Sequence, residues 1–197
     1  NILNIEINYT KIKIFDELLE NQLINIFFVS FCLLVLINGT NFIDGLNGIV
    51  LLYYLIVFLI ILLNLNYFIF DKVLLLNIVF VLITLLVLNC LGLIYLGDSG
   101  SYTLSLFSGI FLITLASNNA SISPYLIIVL LWYPCFELLF SIIRRYLKDT
   151  KTYKPDTTHL HQLIYKKVAI SFKLNNNLIS HLISNFIINL YNLVCFI

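Results

Sequence analysis

Six stretches of this chain are apolar almost without interruption: residues 23–37, 49–65, 73–88 extending toward 95, 102–116, 124–143 and 178–197. A bilayer core of about 30 Å takes about 20 helical residues, and only helices or closed barrels satisfy the backbone inside it. Runs this long and unbroken read as helices. Several are nearer 15 residues, so flanking polar residues must enter the helix ends. With 61% of the 197 residues apolar, 11% charged and a mean hydropathy of +1.01, the chain has too little polar surface to cover a soluble core. The expected fold is all-α: a polytopic transmembrane bundle of about six spans forming one integral membrane domain over 1–197. The net charge of +1 leaves no electrostatic footprint for nucleic acid.

The ends carry weaker signals. Residues 1–16 alternate, with Leu3, Ile5, Ile7 and Tyr9 set against Asn4, Glu6 and Asn8. This is the period of a short strand, expected as a loop or small hairpin outside the membrane. The chain starts at Asn1, contains no Met and ends inside an apolar run, so it is read as the C-terminal part of a larger protein. Cys32, Cys90, Cys135 and Cys195 lie in apolar runs without C-x-x-C spacing and read as small buried hydrophobes. Pro134 should kink the fifth run.

Eight of the eleven Lys and Arg residues fall between 144 and 173, which makes 144–176 a cytoplasmic loop. Counting spans back from it puts 117–123, 66–72 and 1–21 outside, and 38–48 and 97–101 inside. Three polar clusters therefore share the cytoplasmic face.

In the first cluster, Asn38, Asn41, Asp44 and Asn47 recur every three residues and would share roughly one helix face. Capping with a glycine turn accounts for one or two such residues, not four in register. An Asp with several carboxamides beside lipid must be paired or wet. The second cluster, Tyr95–Ser101, sets Asp98 among small residues at the start of a helix. This suits an anion or a Mg²⁺ held by few protein carboxylates, although Asp98 or Ser99 could be an ordinary N-cap. The third, residues 154–163, begins a helix at Pro155 and Asp156 and carries His159 and His161. It suits either a diphosphate grip or an amphipathic helix on an anionic membrane surface. Glu137 reads as structural, a partner for Arg144 or Arg145. His181 and the asparagines of the last run read as bonds between helices.

The motifs NGTNFIDGLNG, YLGDSGS and KPD…HLHQ, with WYPCFELLFSIIRR between the last two, resemble the polyprenyl-phosphate N-acetylhexosamine-1-phosphate transferases of glycosyltransferase family 4, in the undecaprenyl-phosphate GlcNAc-1-phosphate transferase-like branch. The resemblance implies a bacterial inner-membrane enzyme of O-antigen, lipopolysaccharide or cell-wall biogenesis, with its site facing the cytoplasm. Such an enzyme takes a UDP-N-acetylamino sugar and a polyprenyl phosphate, requires Mg²⁺ (or Mn²⁺ in its place) and releases UMP. Carried over, Asp98 is the metal carboxylate with Asn41 beside it. Asp44, Asn38 and Asn47 position the nucleotide sugar or metal-bound water. Tyr95 stacks on uracil, Asn89 reads the base edge, and His159 and His161 bind the diphosphate. The sequence departs from the family in three ways. No Asp-Asp pair precedes these motifs, so the chain as it stands is expected to be inactive. Asn47 stands where many members have Asp, and Gln162 where many have a third His. A transporter remains the alternative from another class, although no inverted repeat is seen; a non-catalytic homologue is the third.

Overall fold

A computed structural model describes residues 5–7, 9–64, 72–119, 122–147, 159–172 and 177–196. Among these there are nine helices and no strand: α1 (Lys13–Leu19), α2 (Gln22–Ile43), α3 (Ile49–Asn64), α4 (Lys72–Cys90), α5 (Gly97–Asn118), α6 (Pro124–Leu130), α7 (Trp132–Leu147), α8 (Leu160–Ser171) and α9 (Asn177–Phe196). The all-helical membrane bundle expected from the apolar runs is what forms.

Of the about six spans expected, four helices among the described residues, α2, α4, α5 and α9, are long and apolar enough to cross a membrane, and the bent pair α6 and α7 makes up to five. The second run forms α3, whose apolar helix Ile49–Leu63 falls below that length. Its surroundings differ from those of a lipid-facing span. Ile49, Val50, Leu51, Tyr53, Tyr54, Leu55, Val57, Phe58 and Ile61 are all buried, so protein covers this helix on most sides. It packs between α4 and α9 and forms the centre of the core. A helix that is apolar all round must be covered by something, and protein serves as well as lipid.

Of the loop or small hairpin expected over 1–16, residues 5–7, 9 and 10 have no regular structure, and the reading fails only further along. Residues 13–16 belong to α1, where Lys13 and Glu17 pair at i,i+4. Ile14, Phe15 and Leu18 have helical spacing, and no second strand is present among the described residues to pair with an alternating one. Instead the Asn25 side chain takes both backbone groups of Ile7, accepting its N–H at 3.0 Å and donating to its C=O at 2.9 Å. Leu3, Asn4 and Asn8 lie outside the described residues.

The expected kink is present. Helices α6 and α7 meet at 65°, with the break at Leu131. Pro134 lacks an N–H, and its ring crowds the carbonyl one turn back, at Leu130. That carbonyl accepts a hydrogen bond from the Tyr53 hydroxyl on α3 at 2.7 Å, so the polar group freed by the proline is satisfied inside the core.

Candidate active site

One end of the bundle collects the C-terminal ends of α2 and α4, the N-terminal ends of α3 and α5, the later turns of α7, the start of α8 and the first turns of α9. The turn 44–48 between α2 and α3 lies at its centre.

Two kinds of polar environment surround this turn. At Gly48 every group is partnered. Gly48 has φ +78, a left-handed conformation that glycine adopts without strain, and its N–H donates to the Asn89 side-chain oxygen. The Asn89 amide donates in turn to Ile94 C=O at 2.9 Å. From α9, His181 Nδ1 accepts from Asn47 N–H at 3.3 Å, Asn185 donates to Asn47 C=O at 3.1 Å, and Asn189 donates to Ile49 C=O at 3.3 Å. His181, Asn185 and Asn189 of the last run thus bond a neighbouring element, as expected of polar groups in an apolar helix, whereas Asn192 is buried with neither end of its amide partnered. Asn89 does not fit a base-reading role: it is buried, and both ends of its amide are engaged with the backbone.

The Asp44–Gly45 half is different. Asp44 ends α2, so the helix face that was to carry all four polar residues stops before Asn47. The predicted register holds for Asn38 and Asn41 within the helix and is lost after it. Burial, followed by the charge of Asp98, pushes the Asp44 carboxyl up to about 6. The motifs at 44 and 98, 54 residues apart in sequence, are thus within electrostatic reach. Asp98 is exposed in the first turn of α5. The cap of that helix is Leu96, without a side-chain bond, so N-capping does not account for Asp98. Asn41 ties the two helices together: its amide donates to the Tyr102 hydroxyl at 3.2 Å, and its oxygen accepts from Ser101 Oγ at 3.3 Å.

The histidine motif reaches the same turn. His161 is 1% exposed, and neither of its ring nitrogens has a hydrogen-bond partner. Its Nε2 lies so close to Gly45 that a Cβ there would collide with the ring. Burial foremost, with the neighbouring His159 ring, pushes the His161 imidazole down to about 4 despite the opposing pull of Glu137, which keeps it neutral near pH 7. Gln162 Oε1 is also buried and unpartnered. His159 caps the start of α8, lies 5.7 Å from His161 between ring centroids at 9°, and contacts Phe42 at 5.4 Å. The predicted helix start at Pro155 and Asp156 lies outside the described residues; the described helix begins at Leu160.

Not all predicted residues converge equally. Asn38 is exposed and its amide returns to Leu34 C=O at 2.7 Å, one turn back on its own helix. Tyr95 is 80% exposed, leaving its ring face free for a planar ligand. Asn47 offers its backbone to α9, its N–H to His181 and its C=O to Asn185. Sequence reasoning missed Glu137, whose two oxygens take His159 Nδ1 at 3.1 Å and Leu160 N–H at 2.7 Å rather than serving as the expected anchor for Arg144 or Arg145. It also missed Tyr102, which borders the second motif and whose hydroxyl had no partner identifiable from sequence.

The family model described as glycosyl transferase family 4 matches residues 2–116, more than half of the chain, and the protein belongs to that family. The matched region holds the 38–48 and 97–101 motifs; α6 to α9, including the histidines, lie beyond it. Family membership supports a sugar-1-phosphate transferase of the polyprenyl-phosphate class, embedded in a membrane. No curated protein and no solved structure matches the chain.

Proposed function

We propose that this end of the bundle is the active site of an enzyme that transfers N-acetylhexosamine-1-phosphate from a UDP-sugar to polyprenyl phosphate, releasing UMP at the cytoplasmic face of a bacterial inner membrane. The observation that carries the reading is the meeting of three separate motifs at one turn: Asp44 within reach of Asp98, and the unpartnered nitrogens of buried His161 against Gly45. Unpartnered buried polar atoms call for a ligand, because leaving such a group unsatisfied costs about 1–3 kcal/mol. A phosphate-bearing substrate supplies an acceptor oxygen for the His161 N–H.

The donor set fits Mg²⁺. Among the described residues no three His, Cys, Asp or Glu side chains gather into a group that could hold a metal ion, so an ion here would rest on fewer protein charges. Two carboxylates with a carboxamide oxygen suit an ion that prefers oxygen and keeps positions for water and phosphate. Asp98 and Asp44 would hold it, with the Asn41 oxygen beside them. When bound, such an ion neutralises charge on the transferring diphosphate. The chain's own groups do the remaining work. His159 and His161 meet the diphosphate from the α8 side, Tyr95 offers a face to the uracil, and Asn41 locks α2 to α5 so that the two carboxylates keep their spacing. Because the site lies at the end of the bundle, a lipid phosphate can reach it while its chain stays in the bilayer.

The α6–α7 break is the one feature shared with a transporter, in which discontinuous helices line a midplane site. Here Tyr53 occupies the freed carbonyl and the ionisable groups lie at the end of the bundle, which favours transfer. The test is UMP release by the complete protein in vesicles containing polyprenyl phosphate, supplied with UDP-N-acetylglucosamine and Mg²⁺. Release that depends on both lipid and metal is expected. Substrate uptake without lipid acceptor, and without UMP, would replace this reading with transport.

A further inference from the structure

We infer that Glu137 is the positioning residue of the histidine pair, fixing the ring of His159 and, through it, the ring of His161. The inference rests on the proposed transferase reading for its functional consequence, but its structural part stands on geometry alone. Glu137 is 4% exposed on α7, an apolar helix where an unpartnered carboxylate is costly. It has two partners, and both belong to the start of α8: His159 Nδ1 at 3.1 Å and the Leu160 N–H at 2.7 Å. One carboxylate therefore holds both the backbone and the first side chain of the helix that carries the histidine motif.

The consequence for His159 is specific. A carboxylate accepts and cannot donate, so Nδ1 must carry the proton whether the ring is neutral or charged. Nε2 is then the nitrogen of His159 open to a ligand. The effect extends to the second ring. His161 lies nearly parallel to His159 and has no hydrogen bond of its own to set its plane. Its orientation is fixed by stacking on a ring that Glu137 holds and by contact with Gly45. Two phosphate-facing imidazoles thus share one anchor 22 residues away in sequence.

Ring ¹⁵N signals of the histidine-labelled complete protein in nanodiscs can be assigned by the loss of single resonances in His159, His161 and His181 variants. His159 is expected to show a protonated Nδ1 in the wild type. In Glu137→Leu it should shift toward the Nε2–H form that a free imidazole prefers. A bare Nδ1 in the wild type, or an unchanged His159 spectrum in Glu137→Leu, overturns the inference. Should Glu137→Leu fail to fold, Glu137→Gln supplies the kinetic arm: kcat for UMP release is expected to fall roughly 10- to 100-fold, as for other groups that orient a ligand-binding histidine, with KM for the UDP-sugar nearly unchanged. An unchanged kcat in that variant also overturns it. Failure of the wild type to release UMP counts against the transferase reading, while the wild-type spectrum still decides the role of Glu137.

Discussion

The turn between α2 and α3 is built by opposite rules in its two halves. Around Asn47 and Gly48 the surrounding helices leave few loose ends: Asn89, His181, Asn185 and Asn189 each bond the backbone of residues 47–49. Against Gly45 lies the buried His161 ring, whose two nitrogens lack partners. A stretch of five residues therefore divides into a fixed hinge point and a less tied half. The backbone of 47–49 is held by side chains from α4 and α9, whereas the His161 ring against Gly45 keeps both nitrogens unpartnered.

Substitutions can test this division. The largest effect is expected at Asp98, which is exposed and remote from the clamp. Asp98→Asn should lower UMP release on the order of 10³-fold while leaving the thermal midpoint in detergent unchanged, because a developing charge loses its main counterpart. Normal turnover would remove Asp98 from the chemistry. Gly45→Ala comes next. The added methyl meets the His161 ring, and displacing a ligand-binding group by about 1 Å costs on the order of 10²-fold in rate. Wild-type kinetics in this variant would mean that His161 is not held against the turn.

A substitution on the clamp side should do the reverse. Asn89→Leu strips the Gly48 N–H and the Ile94 C=O of their partners and should destabilise the protein by about 2 kcal/mol or more. Turnover at low temperature should stay within about twofold. The midpoint of unfolding and the rate at low temperature separate the two outcomes, and a rate collapse without loss of stability would place Asn89 in the less tied half.

The smallest effect is in pH dependence without metal, and it has opposite signs at two residues. The Asp44 carboxyl is raised to about 6 by burial and Asp98, so between about pH 4 and 6 the folded state holds a proton that the unfolded chain releases. Its contribution to stability therefore falls as pH rises through that window. His161 is lowered to about 4, so the unfolded chain holds the extra proton, and stability from this group grows as pH rises from about 4 to 6.5. Relative to wild type, Asp44→Asn should gain thermal stability across the window and His161→Gln should lose it, each by on the order of a few degrees. Parallel shifts would mean that the two groups do not share one desolvated site.

Much of this was legible from the sequence. The apolar runs marked the helices, and the three motifs picked out in them lie at one end of the bundle. The kink belonged to Pro134 by its chemistry. Length was a poorer guide at α3, because a run that is apolar all round does not say whether protein or lipid will cover it. The three-residue period through 38–47 failed at Asp44 because periodicity holds only while a helix lasts, and Gly45 and Gly48 mark its end. Glu137 was assigned to the nearest basic residues. Its partner arrives from beyond a segment that periodicity does not describe, and a lone carboxylate in an apolar run signals that some partner exists without saying which. Asn89 was read through the family resemblance, and the backbone groups that consume it become visible only once α4 is packed beside the turn.

The bond from Tyr53 to the Leu130 carbonyl carries a consequence for how this family varies. The hydroxyl at 53 has its acceptor because the proline at 134 broke a hydrogen bond one turn earlier. A relative with a straight helix in place of α6 and α7 would return that carbonyl to its own backbone and leave the hydroxyl buried with nothing to meet. Tyrosine at 53 and proline at 134, 81 positions apart, should therefore be inherited as a pair, with phenylalanine expected at the first wherever the second is lost.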